Sequence, residues 1–190
     1  MELTFRKIKK EDMQHFKKWG KHEDPRFFQY NFGYDSQMEY DAWYYSKQRW
    51  IFRKVYGLFL DDQPVGFITL KHINYIKKTA ELGIAVDPSQ LNKGYGTKML
   101  RMYLDYVFEH YPIEVMCLKV SHFNTRAQKS YRKVGFVEFA ESYEPFEEQG
   151  YKDLVMDRFP DQFDMIEGTL YTRFIKMKID KNTYLTAREE

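Results

Sequence analysis

Ile84-Ala85-Val86-Asp87-Pro88-Ser89-Gln90-Leu91-Asn92-Lys93-Gly94-Tyr95-Gly96-Thr97 is the stretch on which the reading of this chain turns. Three apolar residues end a strand, Asp87-Pro88 breaks it, and the glycine pair opens a helix. The apolar residues Met99, Leu100, Tyr103, Leu104, Val107 and Phe108 of that helix share one face, to about His110. Glycine at 94 and 96 lets backbone amides turn toward a ligand and lets the ligand come close. The first N–H groups of the helix are unpaired, and its positive dipole end faces the loop. A strand, loop and helix of this form receive phosphate or pyrophosphate. The third glycine of a dinucleotide fingerprint is missing, and so is the Gly-Lys-Ser/Thr of a Walker loop. Taken alone, a Gly-x-Gly also fits a tight turn.

A second motif begins thirty residues after Gly94: Asn124-Thr125-Arg126-Ala127-Gln128-Lys129-Ser130-Tyr131-Arg132-Lys133-Val134-Gly135-Phe136. Asn124 is placed to cap a helix just after a strand, Ala127, Tyr131 and Val134 fall on one helical face, and Gly135 is placed as the C-cap. Tyr131 reads either as a packed helix tyrosine or as an acid whose hydroxyl faces a leaving group.

The two motifs together, in this order and at this spacing, resemble the GNAT superfamily of N-acetyltransferases. Its pyrophosphate loop has the form Gln/Arg-x-x-Gly-x-Gly/Ala and is followed by Asn-x-x-Ala-x-x-x-Tyr-x-x-x-Gly-Phe. The second motif matches at Asn124, Ala127, Tyr131, Gly135 and Phe136. In the first, Gly94 and Gly96 match, but Leu91 stands at the Gln/Arg position and Gln90 lies one place early. Residues 90–100 are similar to the same stretch of the aminoglycoside 6'-N-acetyltransferases, a likeness confined to the CoA loop.

The resemblance implies a mixed α/β (α+β) fold with a mostly antiparallel central sheet flanked by helices. Two neighbouring parallel strands, residues 81–86 and 114–120, splay apart in it, and residues 1–190 form a single domain. Acetyl-CoA is the implied cosubstrate. Backbone groups of Ile84, Ala85 and Val86 would pair with its pantetheine arm, and the amides of Leu91, Asn92, Lys93, Gly94, Tyr95, Gly96 and Thr97 would hold the pyrophosphate. Asn124 and Ala127 would flank the pantetheine. Tyr131 is the implied acid toward the thiolate. Glu81 is the candidate base, with a solvated or ion-paired strand residue as the alternative, and His122 is the second candidate. The implied reaction is direct attack of a small-molecule amine on the thioester. A non-catalytic acyl-CoA-binding module is the competing class, and an amino-acid or protein N-terminal acetyltransferase is the competing enzyme.

Composition sets the outer bounds. The 190 residues are 43% hydrophobic, 31% charged and 18% aromatic, enough for one real core. No apolar run reaches the roughly 20 residues of a membrane span. The first residues carry no apolar leader, and one cysteine, Cys117, leaves no disulfide framework or cysteine metal cluster. These point to a cytoplasmic protein without a metal, expected as a monomer or homodimer. A net charge of +2 argues against nucleic acid as partner. The charge is uneven, however. Residues 138–167 hold ten acids and two bases, a net −8, against +10 elsewhere. This is either a solvated acidic loop or the wall of a pocket for a cationic acceptor such as an aminoglycoside or a polyamine. The aromatic cluster Phe27, Phe28, Tyr30, Phe32, Tyr34, Tyr40, Trp43, Tyr44, Tyr45 and Trp50 supplies core and cleft wall.

Outward from the motifs, residues 3–8 read as a strand. Helices are expected over residues 9–19 and 35–50, and a hairpin over 55–60 and 65–73. Further strands fall at 114–120, 136–140 and 169–179. Residues 145–168 read as a long loop or one with a short helix near Asp161.

Overall fold

The computed structural model describes residues 2–48 and 54–189. Its frame is a mixed sheet of eight strands among the described residues: β1 (Leu3–Lys7), β2 (Lys54–Leu60), β3 (Gln63–Asn74), β4 (Thr79–Val86), β5 (Val115–Ser121), β6 (Val137–Pro145), β7 (Asp164–Ile166) and β8 (Thr169–Asp180). The strand order is β1-β2-β3-β4-β5-β8-β6, and β7 also pairs with β8. Every pairing is antiparallel except that of β4 with β5. The helices are α1 (Met13–Phe16), α2 (Gln37–Gln48), α3 (Tyr95–His110), α4 (Thr125–Val134), α5 (Lys152–Arg158) and α6 (Lys181–Glu189).

Strand alternation sends neighbouring residues to opposite faces of the sheet and so builds two cores. On one face, Tyr56, Leu58, Ile68 and Leu82 pack with Met99, Leu100, Tyr103 and Leu104 of α3 and with Tyr131 and Val134 of α4. On the other, Val55 and Phe59, with Phe67 beside them, pack with Met13, Phe16, Trp19, Phe32 and Tyr40. A small third cluster of Phe146, Val155, Phe163 and Leu170 lies beneath the 145–168 segment.

The parallel pair places the site. β4 and β5 are in register only from Thr79↔Val115 to Glu81↔Cys117. Beyond that point β4 stays paired with β3 as far as Val86, and β5 stays paired with β8 as far as Ser121. The backbone of residues 82–86 therefore has one edge turned to an open gap. This is the splay that the resemblance implied.

Several elements differ from their sequence reading. The first helix is a single turn, α1, preceded by a tight turn at Lys10–Asp12. Lys18 and Trp19 close i to i−3 bonds instead of continuing the helix, and the Trp19 indole donates to the Pro64 carbonyl at 2.8 Å. α2 begins after a capping box, in which Ser36 Oγ accepts from the Glu39 N–H and Glu39 reaches back to the Ser36 N–H. Its expected end near Trp50, and Trp50 itself, lie outside the described residues. β6 runs on to Pro145 because it stays paired along β8. The 145–168 segment does hold a helix, but at α5 rather than at Asp161, which sits in the tight turn Pro160–Gln162. α6 follows β8 and was not anticipated; its Tyr184 is buried against α3, donating to Asp105 at 2.8 Å.

Candidate functional site

A cavity of about 610 Å³ opens from the gap between β4 and β5 and runs to the start of α3. Ile84, Ala85 and Val86 form its β4 wall. Leu91, Asn92, Gly94, Tyr95, Gly96 and Thr97 line its loop end. Gly94 caps α3 in the left-handed region (φ +80°), which a β-carbon would strain. Lys93 is the one expected loop residue absent from the lining, and its side chain donates to Gln90 at 2.9 Å.

α4 supplies the facing wall through Asn124, Ala127 and Tyr131. Asn124 Oδ1 accepts from the Ala127 N–H at 3.2 Å, so the side chain is held by the helix it starts, with its amide nitrogen still able to donate. Gly135 ends the helix in the left-handed region. Tyr131 is buried, and burial, together with nearby Tyr30, raises its phenol above the ordinary value. It therefore carries its proton at neutral pH. Arg126, Lys129 and Lys133 lie on the same lining face of α4. They were not singled out from sequence, although their i, i+3, i+7 spacing places them on one side of a helix.

The far wall comes from the segment Pro25–Tyr30 and from the residues after β6. Phe27, Gln29, Tyr30, Asn31, Phe32, Tyr34 and Trp43 line it, so part of the early aromatic cluster is cleft wall. Arg26 fixes this segment. Its guanidinium pairs with Asp24, donates to Gln162 Oε1 at 2.7 Å and lies 3.8 Å from the Phe159 ring centroid. Phe146 and Glu147 complete the wall. Gln149 holds their turn against β8 by donating to the carbonyls of Phe146 (2.6 Å) and Leu170 (2.9 Å) and accepting from the Leu170 N–H (2.8 Å). The phenol of Tyr30 is pushed up to about 12 by burial and by the charge of Glu147.

Glu81 and His122 do not line this cavity. Glu81 lies in an adjoining recess that shares Lys71, Lys119 and Glu147 with it. Its carboxylate meets Lys71 Nζ at 2.8 Å and His72 Nδ1 at 3.1 Å. Burial alone would raise its pKa, but Lys71 and His72 hold it below the usual carboxylate range. Of the two readings that sequence left open, the ion pair is therefore present. The His122 Nδ1 lies 3.2 Å from the Arg173 carbonyl, and burial lowers its pKa. The acids of residues 138–167 divide in the same way. Glu138 pairs with Arg132, Glu141 with Arg173, and Glu144 with Lys119 (2.5 Å) and Lys176 (3.7 Å).

A family model described as an acetyltransferase (GNAT) domain matches residues 2–137. Among curated proteins, the spermidine N(1)-acetyltransferase of Vibrio cholerae is 33% identical over 82 residues, which is 43% of this chain and 47% of that protein. The match thus spans about half the length of that relative. Among solved structures, spermidine N-acetyltransferase from Vibrio cholerae in complex with CoA and spermine aligns with a TM-score of 0.71 at 23% identity, over 96% of this chain and 98% of that one. A dodecameric structure of the same Vibrio cholerae protein aligns at 0.66 and 23% identity, over 99% of this chain and 98% of that one. At this identity the likeness to the solved structures is one of fold.

Proposed function

The chain belongs to the GNAT acetyltransferase family, and on that premise we propose that it transfers the acetyl group of acetyl-CoA to a primary amine of a small, polyamine-like molecule. The observation that carries this reading is the continuity of one cavity, from the open edge of β4, past Tyr131, to the helix start at Gly94. The free backbone edge at Ile84, Ala85 and Val86 pairs with the pantetheine arm as an added strand would. The amides of residues 91–97 take the pyrophosphate, and the basic face of α4 at Arg126, Lys129 and Lys133 adds charge for the phosphates. Asn124 and Ala127 flank the arm.

In the transfer, a neutral amine nitrogen bonds to the thioester carbon, the carbon–sulfur bond breaks, and the sulfur takes a proton. Tyr131, whose phenol is protonated at neutral pH, supplies that proton. The amine loses its own proton through water toward the recess where Glu81 lies ionised, and Tyr131 is reprotonated from solvent. Positioning in the cavity provides most of the acceleration.

The acceptor class draws support from the curated Vibrio cholerae relative, whose name specifies spermidine, and from Glu147, the one acid of residues 138–167 that lines the cavity. We place the reaction in the cytoplasm; among the described residues no helix is long and apolar enough to cross a membrane. Assembly as monomer or homodimer is set against the dodecamer of the Vibrio cholerae protein, and sedimentation velocity decides between them. The activity is tested by initial rates of CoA release from acetyl-CoA over a panel of spermidine, an aminoglycoside and free amino acids. Release with spermidine above the amine-free rate is expected. A panel in which no amine raises the rate overturns the reading, and one led by free amino acids overturns its acceptor class.

A further inference from the structure

Aromatic rings that line the cavity already meet cations of the chain itself. Lys119 Nζ lies 4.6 Å from the Phe174 ring centroid, the Arg126 guanidinium 5.9 Å from that of Phe27, and Lys47 Nζ 5.6 Å from that of Trp43. All of these residues line the cavity, and all three distances are within the reach of a cation–π contact. The three pairs differ in kind. Lys119 is also held by the Glu144 carboxylate at 2.5 Å, and Arg126 lies on the basic face of α4. Lys47 stands one residue before the end of α2 at Gln48. Its side chain is a four-carbon stem ending in a primary ammonium, the chemistry of the aminobutyl arm of spermidine. Trp43, beneath it, is a braced surface. Its ring meets Phe32 at 5.1 Å and Phe67 at 5.2 Å, both near perpendicular, and Phe16 at 5.9 Å. Packing therefore sets its orientation, and little side-chain freedom is left to lose when a ligand arrives. Indole is also the aromatic ring that attracts a cation most strongly.

We infer that the face of Trp43 seats a protonated nitrogen of the acceptor other than the one that is acetylated, and that the Lys47 ammonium occupies this seat until the acceptor displaces it. This rests on the acetyltransferase reading and deepens it. The attacking nitrogen must be neutral, so an acceptor with several nitrogens keeps its positive charge on the others, and one of these replaces the lysine on the ring. Trp43 thus favours amines with a second cationic nitrogen. Lys47 lowers their apparent affinity by the fraction of time it covers the indole.

Calorimetric titration of the CoA-loaded protein with spermidine reads the seat apart from the activity. Trp43→Leu should bind spermidine about 3- to 30-fold more weakly than wild type, the loss of one cation–π contact, with Trp43→Phe between the two. Lys47→Met keeps the stem and loses the charge, and should bind spermidine about 2- to 5-fold more tightly. Removing a positive charge also helps a cation through space, but that gain does not need the indole. Release of the ring does need it, so the gain from Lys47→Met should vanish when Trp43→Leu is already present. Should Trp43→Leu fail to bind CoA and so prove misfolded, Trp43→Phe serves as the background, in which the gain should shrink. Equal spermidine affinity in wild type and a folded Trp43 variant overturns the inference. So does a Lys47→Met gain that is absent, or of the same size with and without Trp43, and so does a wild type that does not bind spermidine. A protein that shows the expected pattern but releases no CoA supports the seat and sinks the acetyl-transfer reading alone.

Discussion

Replacing Tyr131 with phenylalanine removes one oxygen and leaves the ring packed in the core of α3 and α4. The turnover number should fall on the order of 10²–10⁴-fold for loss of a general acid, toward the low end because a thiolate leaves moderately well unaided. Acetyl-CoA affinity should barely change. Steady-state kinetics with a calorimetric acetyl-CoA titration checks both halves, and unchanged turnover with chemistry rate-limiting would make Tyr131 a packing residue. A second residue-scale test concerns the fold. Asp12 is buried and accepts a two-bonded fork from Arg6 at 2.7 and 2.8 Å and the Lys9 N–H at 2.7 Å. Burial pushes its pKa up, but these donors win and hold it below the ordinary value. Its contribution to stability is therefore full above the ordinary carboxylate pKa and is lost as pH falls through the lower folded value. Asp12→Asn should cost about 2–3 kcal/mol at pH 7 and much less at strongly acid pH, read from urea melts. Tyr131 was legible in the sequence because helix spacing puts it on the face of Ala127 and Val134, and Asn124 because a cap residue precedes that helix. Glu147 was counted among ten acids but not distinguished from them. Its difference lies in its place: Glu141 and Glu144 reach Arg173 and Lys176 of β8 in ion pairs, and Glu147 lies beyond the paired strand.

At the level of elements, the loop before α3 is the proposed phosphate site. A β-carbon on Gly96 would meet only Val86 Cγ2, at 3.5 Å, an ordinary contact. Gly96→Val should therefore fold with a normal far-ultraviolet spectrum yet lose acetyl-CoA binding by calorimetry, because its bulk occupies the space of the phosphates. Normal binding would remove this loop from the site. Arg26 makes the corresponding test of the opposite wall. Arg26→Ala deletes the Gln162 bond and the packing on Phe159, worth about 2 kcal/mol together. Amide exchange across residues 149–163 should accelerate, with exchange in β4 and β5 unchanged. The hairpin β2–β3 and the helices α3 and α4 were legible because apolar periodicity and turn residues define each locally, whereas the splayed pair was implied by the family resemblance. The brevity of α1 was not, since the Trp19 contact with Pro64 that redirects the chain joins residues 45 apart. Nor was the cavity's far wall, where Tyr30 and Glu147, far apart in the chain, are brought to one wall by the Arg26 clamp, the Phe28–Tyr151 ring contact at 4.9 Å and the Gln149 brace.

Over the whole molecule, a net charge of +2 conceals a division of labour. In the proposed reading the basic face of α4, at Arg126, Lys129 and Lys133, serves the phosphates of the cofactor. Polyamine kcat/KM should fall as salt rises, since the screening length shrinks from about 10 Å at 0.1 M to about 3 Å at 1 M. A neutral acceptor should show less of this loss, and equal salt dependence for both would mean that the charge plays no part in recognition. The central claim is that one cavity, opened by the parting of β4 and β5, holds acetyl-CoA with its thioester at Tyr131. A crystal structure of the protein with acetyl-CoA tests this most directly. The account predicts the pyrophosphate on the amides of residues 91–97, the pantetheine along Ile84, Ala85 and Val86, and the sulfur about 3.5 Å from the Tyr131 hydroxyl, within reach of a hydrogen bond to sulfur. Cofactor bound outside the gap, or with its sulfur remote from Tyr131, would contradict it.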